Sequence, residues 1–316
     1  ESVLRIARQD SAGTAAATTT SFHSVPFISE TLVTNVPNLF SDTIRARYEQ
    51  GPSAPGIISA GGDVVMRMHP DTVGVFAYAW TGAASSTQIN SCYSHVFVPR
   101  QTTFHADMAL PPWTVEKYPG TDEAHFYHDG QCNRLTIEVA GAQYARMTAS
   151  MMFRTHSTAA KTTPVFPAGV EYTWNQASLS LAGAANVLWE NVTLTFDNAL
   201  EYYAALDGTT VYRRVLRNNY RTVRVTGLAD FPNNDQFDIF RQGSEQAFDL
   251  TMKGLTIGSG NIETLRVRIP TLRYTSYPVQ IGGPNRITVG FEAIGIYNTG
   301  SALICDLTLV NTRISY

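Results

Sequence analysis

The chain has 316 residues, of which 44% are hydrophobic and only 16% are charged, and its formal net charge is −3. This length allows one large β domain or two smaller ones. The net charge excludes a global basic field that would attract nucleic acid or an anionic membrane. No run of about 18 apolar residues occurs, which excludes a membrane-spanning helix. A charged fraction below the usual ~25% favours a surface covered by neighbouring molecules, although a compact secreted β protein fits it equally well.

Alternation of apolar and polar residues runs through most of the chain and predicts strands with one buried face. In chain order the predicted strands are Ser2–Arg8, Thr43–Tyr48, Gly61–Met68, Ser94–Val98, Arg134–Ala140, Ala142–Arg154, Asn191–Tyr203, Val223–Thr226, Ile262–Ile269, Arg286–Tyr297 and Ser301–Ile314. Turn residues predict two hairpins, one around Gly141 and one around Asn298–Gly300.

Two helices are predicted between these strands. In Pro70–Trp80 the apolar residues recur at helical spacing, Pro70 suits the first turn, and Gly82 suits the position after the end. A shorter helix is predicted at Asp235–Gln242, with Asn234 as its N-cap. The polar connections are long, which is typical of loops that are functional or are ordered by a partner; they are Ser11–Ser24, Glu49–Ser59 and Thr155–Gly169.

The best candidate for a metal site is the cluster of His125, His128 and Cys132, which offers two imidazoles and a thiolate. Because no fourth ligand is placed by the sequence, we favour a polar turn that leads into a strand. No nucleophile elbow, phosphate loop or dinucleotide fingerprint occurs. We therefore predict no metal, no cofactor and no enzymatic activity.

The three cysteines, Cys92, Cys132 and Cys305, are widely spaced and odd in number. A disulfide framework does not fit this pattern, and reduced thiols in a protein assembled in the cytosol fit it better.

The most basic stretch holds five arginines within a dozen residues: Arg213, Arg214, Arg217, Arg221 and Arg224. Such a stretch could neutralise nucleic-acid phosphates. An ion-pairing face toward neighbouring subunits, or a solvated loop, is the interpretation we favour, because only two tyrosines interleave with the arginines.

The order of these features resembles the tail tube (major tail) proteins of long-tailed phages. The resemblance covers nearly the whole chain and rests on patterns of strand and turn: Leu4–Thr14, Pro26–Asp42, Gly61–Pro70 leading into the helix, His95–Pro99, Pro111–Val115, Gly130–Ala149, Val223–Phe231 and Arg286–Ile314.

The resemblance implies a mainly β fold, a β-sandwich or half-barrel with one flanking α-helix and long loops. It implies a single domain over residues 1–316, with an extended arm at about residues 11–42 and a possible insertion at residues 155–186. Six copies would close into a ring, and stacked rings would form the conduit through which double-stranded DNA is ejected. The implied partners are further copies, the tape measure protein, and tail terminator or baseplate proteins. The implied location is the virion tail, after assembly in the host cytoplasm.

Two sets of residues are candidates for contacts in such a tube. The polar phase of the long strands predicts a bore face at Thr136, Glu138, Asp197 and Glu201, with the arginine cluster outside it. Apolar residues of the arm and helix predict contacts between rings, at Phe22, Val25, Phe27, Phe40 and Trp80, because a lone chain would leave them uncovered. Deletion of Thr18–Thr34 is expected to leave folded monomers that no longer polymerise.

Two other classes of protein stay open from the sequence. A virion β-sandwich outside the tube, such as a decoration protein or carbohydrate-binding adhesin, would be a monomer or trimer with an exposed aromatic patch. A β-rich hydrolase would need a cleft that unites two carboxylates of unequal pKa.

Overall fold

A computed structural model describes residues 2–13, 22–43, 46, 48–101, 110–120, 122–281, 283 and 286–316. Over this part of the chain the strands are β1 Val3–Arg8, β2 His23–Ser24, β3 Ser29–Glu30, β4 Val33–Asn35, β5 Asn38–Phe40, β6 Ser53–Pro55, β7 Ser59–Arg67, β8 Ala84–Ile89, β9 Cys92–Phe97, β10 Trp113–Tyr118, β11 Ala124–Ala140, β12 Arg146–Phe153, β13 Thr155–Ala159, β14 Ala177–Leu181, β15 Ala184–Asn186, β16 Trp189–Asp197, β17 Leu200–Tyr203, β18 Arg214–Arg217, β19 Thr222–Asp230, β20 Gln246–Ile257, β21 Asn261–Ser276, β22 Thr288–Gly295 and β23 Asp306–Asn311. The helices are α1 Pro70–Thr81 and α2 Asp235–Gln242, with 3-10 turns at Trp174–Gln176 and Gly258–Gly260.

The large sheet is antiparallel throughout and follows the order β4, β7, β12, β11, β16, β19, β22, β21. Along β21 the sheet divides. One edge of β21 carries β20, followed by β14 and β15, and the other carries β23, followed by β9 and β8. Strands make up most of the regular structure, so the fold is mainly β. The large sheet does not close into a barrel, which is consistent with a β-sandwich.

A second, smaller layer has the order β2, β1, β10, β11, β13. The 17-residue β11 belongs to both layers, because its first half pairs with β10 and β13 and its second half pairs with β12 and β16. A register shift between Cys132 and Arg134 marks the change from one layer to the other. A bulge of this kind bends a strand, which allows one chain segment to form both sides of the core.

Helix α1 confirms the predicted helix and its end at Gly82, which adopts a left-handed φ of 75°. Its N-cap is His69, whose Nδ1 accepts a hydrogen bond from the Asp71 N–H at 3.2 Å. Eleven of its twelve residues are buried, and Trp80 packs on Phe196 with 5.1 Å between ring centroids. Helix α1 therefore packs against both layers, through Trp113 of β10 and Phe196 of β16.

Helix α2 confirms the second predicted helix and the position of Asn234 as its N-cap residue. The Asn234 side chain makes no capping hydrogen bond, and the Asp235 N–H donates to the side chain of Asn233 at 3.2 Å instead. The two helices of the described residues are thus the two that the sequence predicts.

The hairpin predicted around Gly141 is confirmed as β11–β12. The turn predicted around Asn298–Gly300 is present, since Asn298 and Leu303 form an antiparallel bridge across it, but the long strands on either side do not form the predicted hairpin. Strands β22 and β23 do not pair with each other along their length, since both pair with β21. The predicted strand Asn191–Tyr203 is interrupted at Asn198, whose buried amide donates to the carbonyls of Trp80 and Cys132. Half of the predicted strand Thr43–Tyr48, residues 44, 45 and 47, lies outside the described residues.

The arm predicted at about residues 11–42 lies partly outside the described residues, and its described part lies along the protein. Strands β3 and β4 pair with β7, and Val25 and Leu32 are buried in the core. Within residues 155–186, β13 joins the small layer, β14 joins the large sheet through β20, and Tyr172 is fully buried. The origin of this segment as an insertion stays a prediction.

Candidate assembly surfaces

One face of the large sheet is polar across six strands, and its side chains fall into rows set by the strand register. The first row is Val65, Thr148, Thr136, Thr195, Arg224 and Ile294; the second is Arg67, Arg146, Glu138, Thr193, Thr226 and Glu292; the third is Asp63, Ser150, Arg134, Asp197 and Thr222. We call these three rows the polar face. The alternate residues of the same strands, such as Leu135, Ile137 and Leu194, are fully buried.

Charges on the polar face are balanced, since its three rows hold four arginines and four carboxylates. Arg134 forks onto Asp197, with Nε and Nη2 at 2.9 and 2.7 Å from the same carboxylate oxygen. Arg224 Nη1 lies 3.2 Å from Glu292 Oε2. Each pair bridges strands that are neighbours in the sheet, so two of the four arginines on this face, Arg134 and Arg224, are held against carboxylates.

Three of the four predicted bore residues lie together on the polar face: Thr136 and Glu138 on β11, and Asp197 on β16. Glu201 does not. It lies on β17, which among the described strands pairs only with β18 in a separate two-stranded ribbon, where Glu201 is exposed opposite Leu216. The chain leaves the large sheet at Asn198, so the period of the preceding strand does not continue to Glu201.

The arginine cluster divides between environments. Arg224 shares the polar face with Thr136, so the expectation that the whole cluster lies away from the predicted bore residues is wrong. Arg221 stacks over the Trp80 indole, with its Cζ 5.4 Å from the ring, and its Nε donates to Asn198 Oδ1 at 2.8 Å. Burial, with a smaller contribution from the charge of Arg217, lowers the pKa of Arg221 to about 10.

The five apolar anchors separate into buried and exposed groups. Phe22, Val25 and Trp80 are buried within the chain, so the expectation that a lone molecule leaves them uncovered is wrong for these three. Phe27 is partly buried against the same core. Phe40 alone of the five is largely exposed, at 56%. The sequence pattern did not distinguish the buried from the exposed apolar residues, because an arm packed on its own chain and an arm exposed to solvent can have the same amino-acid composition.

Strands β5 and β6 form a ribbon of their own that precedes β7, and none of their six residues is buried. We call these two strands, β5 and β6, the ribbon segment. Leu39 is 62% exposed beside Phe40, and Val36 is also exposed. Sequence reasoning missed Leu39, although an apolar pair bounded by Pro37 and the Pro52–Pro55 stretch is a recognisable signal for such a ribbon.

An open edge strand is a further surface that sequence reasoning missed. All six residues of β8 are exposed, and within the described residues β8 pairs only with β9. Its backbone N–H and C=O groups on the other side are available to another strand.

The candidate metal ligands do not come together. His125 Nδ1 lies 2.9 Å from His156 Nε2, and His128 Nε2 lies 2.8 Å from Ser157 Oγ, so both imidazoles contact β13. Cys132 is fully buried, and burial raises the pKa of its thiol. Over the residues that the structure describes, no group of three His, Cys, Asp or Glu side chains is arranged to hold a metal ion.

Within the described ranges, no helix has both the length and the apolar character needed to cross a membrane. No curated protein sequence matches the chain. The family model described as phage tail tube protein matches residues 1–295. This match spans both sheet layers, both helices and the polar face, and it decides between the tube and the other classes that the sequence left open: the chain belongs to the phage tail tube protein family.

Proposed function

We propose that copies of this chain form hexameric rings, that the rings stack into the tail tube, and that double-stranded DNA passes through the bore during ejection. The role is passive and uses no cofactor. The number six comes from the resemblance to major tail proteins, while the ring and the bore have separate structural support.

Support for ring closure comes from the two ends of the strand order. Strand β8 ends one branch of the large sheet, and the short strands β3 and β4 end the other side, beyond β7. Joining β8 of one copy to the β3–β4 edge of the next would satisfy open backbone groups on both. Because the two edges differ, the contact is heterologous, and a rotation that closes produces a ring.

The polar face is the observation that carries the bore assignment. It is rich in threonine, and its arginines are balanced by carboxylates, with Arg134 paired to Asp197 and Arg224 paired to Glu292. Free arginines would retain DNA by releasing counterions from its phosphates, whereas balanced pairs give little net attraction. Thr136, Glu138 and Asp197 are thus proposed to line the bore.

Further assignments follow from membership of the family and from the resemblance. The whole chain is proposed to act as one tail-tube domain that meets the tape measure protein and the terminator or baseplate proteins in the virion tail. Assembly is proposed to occur in the host cytoplasm. The three free, buried cysteines fit a reducing compartment. Phe40 and Phe27 are proposed to contribute to contacts between rings.

Electron microscopy of the purified protein tests assembly, since the proposal requires hollow rods. The bore is tested with Thr136→Cys, which adds one partly exposed thiol to a chain whose native cysteines are buried. A small maleimide should label this thiol in tubes and in dissociated subunits, whereas a maleimide carrying a long polymer should label only the subunits.

The two reagents distinguish the possible positions of Thr136. Labelling of intact tubes by both reagents would place Thr136 on the outer surface, and protection from both would place it in a subunit interface. Either result contradicts the bore assignment without affecting the tube.

A further inference from the structure

Two apolar features lack cover within the described residues. One is the ribbon segment formed by β5 and β6, with Leu39 and Phe40 exposed. The other is a cleft of about 420 Å³ between the β14–β15 hairpin, the first residues of β16 and the end of β11. Its lining is mainly apolar, and includes Trp174 at 49% exposure and Val187 at 89%.

These two features lie at opposite ends of the large sheet. The ribbon segment leads into the start of β7, where Ala60 pairs with Phe153. The cleft lies at the other end, where Ala140 pairs with Asn191 near the Gly141 turn. The nine residues of β7 span roughly 30 Å between these ends. The ribbon of one molecule therefore cannot reach the cleft of the same molecule.

We propose that the ribbon segment of one copy inserts its Leu39–Phe40 pair into the Trp174–Val187 cleft of the copy stacked on it. The contact rests on the proposed tube and names the two surfaces that join consecutive rings. Copies that stack in the same orientation bring unlike ends together, and a heterologous contact of this kind repeats without limit along the axis.

The dimensions and the polarity agree with this occupant. An apolar cavity of about 150 Å³ already admits a benzene ring, so a 420 Å³ cleft has room for a phenylalanine side chain and its neighbour. Glu190 is the one charged residue that lines the cleft. Insertion of the apolar Leu39–Phe40 pair would therefore remove water from few charged groups. One such contact is weak, but a ring repeats it at every subunit, and linked contacts add through effective concentration.

The first test compares Val187→Arg with Val165→Arg. Both valines are highly exposed, at 89% and 76%, so neither change should affect folding, but only Val187 lines the cleft. A charge in the cleft should raise the concentration needed for polymerisation at least tenfold, measured by sedimentation and microscopy. Val165→Arg should polymerise like the wild type. Normal tubes from Val187→Arg would overturn the contact.

The second test locates the contact by disulfide formation between two variants mixed before assembly. Phe40→Cys mixed with Val187→Cys should give a cross-linked dimer on oxidation of the tubes, while Phe40→Cys mixed with Val165→Cys should not. Cross-linking at Val165 in place of Val187 would overturn the proposal. Wild-type protein that forms no tubes at all would overturn the proposed function, and the contact with it, so the two failures are distinguishable.

Discussion

The large sheet and the ribbon segment both contain apolar side chains, but the sheet buries them and the ribbon segment leaves them exposed. Along β11 and β16 every second side chain enters the core, and Leu135, Ile137 and Leu194 have no exposed surface. In β5 and β6 no residue is buried, although Leu39 and Phe40 are as apolar as those in the sheet. The sheet has a helix and a second layer to cover its apolar face, whereas the ribbon has neither. An apolar ribbon that its own chain leaves uncovered is suited to a partner molecule.

The largest expected effect on stability comes from a substitution in the buried core. Trp80→Ala removes a fully buried indole from between α1 and Phe196 and should lower the free energy of unfolding by about 3–5 kcal/mol. Denaturant titration of the dissociated subunit measures it. A loss below about 1 kcal/mol would mean that α1 is not packed as the core element seen here.

The buried ion pair of the small layer should be nearly as sensitive. Glu116 is fully buried, lies 3.4 Å from Arg5 Nη1, and accepts the Thr162 N–H at 2.8 Å. Glu116→Gln keeps the shape but leaves the Arg5 charge without its counterion, which should cost about 3 kcal/mol. If the double variant Glu116→Gln, Arg5→Met is no more stable than Glu116→Gln alone, the stranded charge is not the cause.

A pH dependence tests the packed part of the arm. Burial, then the charges of Arg313 and Arg5, lower the pKa of His23 to about 4, so the folded protein binds fewer protons here than the unfolded chain, whose pKa is near 6.5. Stability from this group is complete above pH 6.5 and is lost as the pH falls to about 4, by up to about 3 kcal/mol. His23→Gln should flatten the unfolding free energy over this range, and an unchanged slope would contradict the burial of the arm.

The ribbon should show the smallest effect on stability and a large one on assembly. Leu39→Ser with Phe40→Ser changes only exposed side chains, so the free energy of unfolding should shift by less than about 0.5 kcal/mol. The same protein should remain as subunits or single rings in sedimentation. A large loss of stability would show that the ribbon is part of the fold, and unimpaired tubes would show that it is not a contact.

The deletion of Thr18–Thr34 is no longer a clean test of assembly. It would remove Val25 and Leu32 from the core, and it would remove β3 and the first two residues of β4 from the edge of β7. Unfolding and loss of polymerisation would then occur together, so the substitutions in the ribbon replace this deletion.

Local patterns in the sequence determined the two faces of the strands, the ends of α1 and the order of elements that indicates the family. The period of two places Thr136 and Glu138 on the face opposite Leu135 and Ile137, because successive side chains in a strand point to opposite sides. Proline at the start and glycine after the end define α1, since both act through backbone geometry within a few residues. The order of strands and turns along the chain was sufficient to indicate the family.

Only the tertiary structure decided which segments meet. Strands β22 and β23 both pair with β21 and not with each other along their length. Arg224 lies on the polar face because it pairs with Thr195. Trp80 is buried, whereas Phe40 is exposed. These outcomes depend on contacts between residues far apart in the sequence. Periodicity gives each strand two faces but does not specify the neighbour that covers either of them.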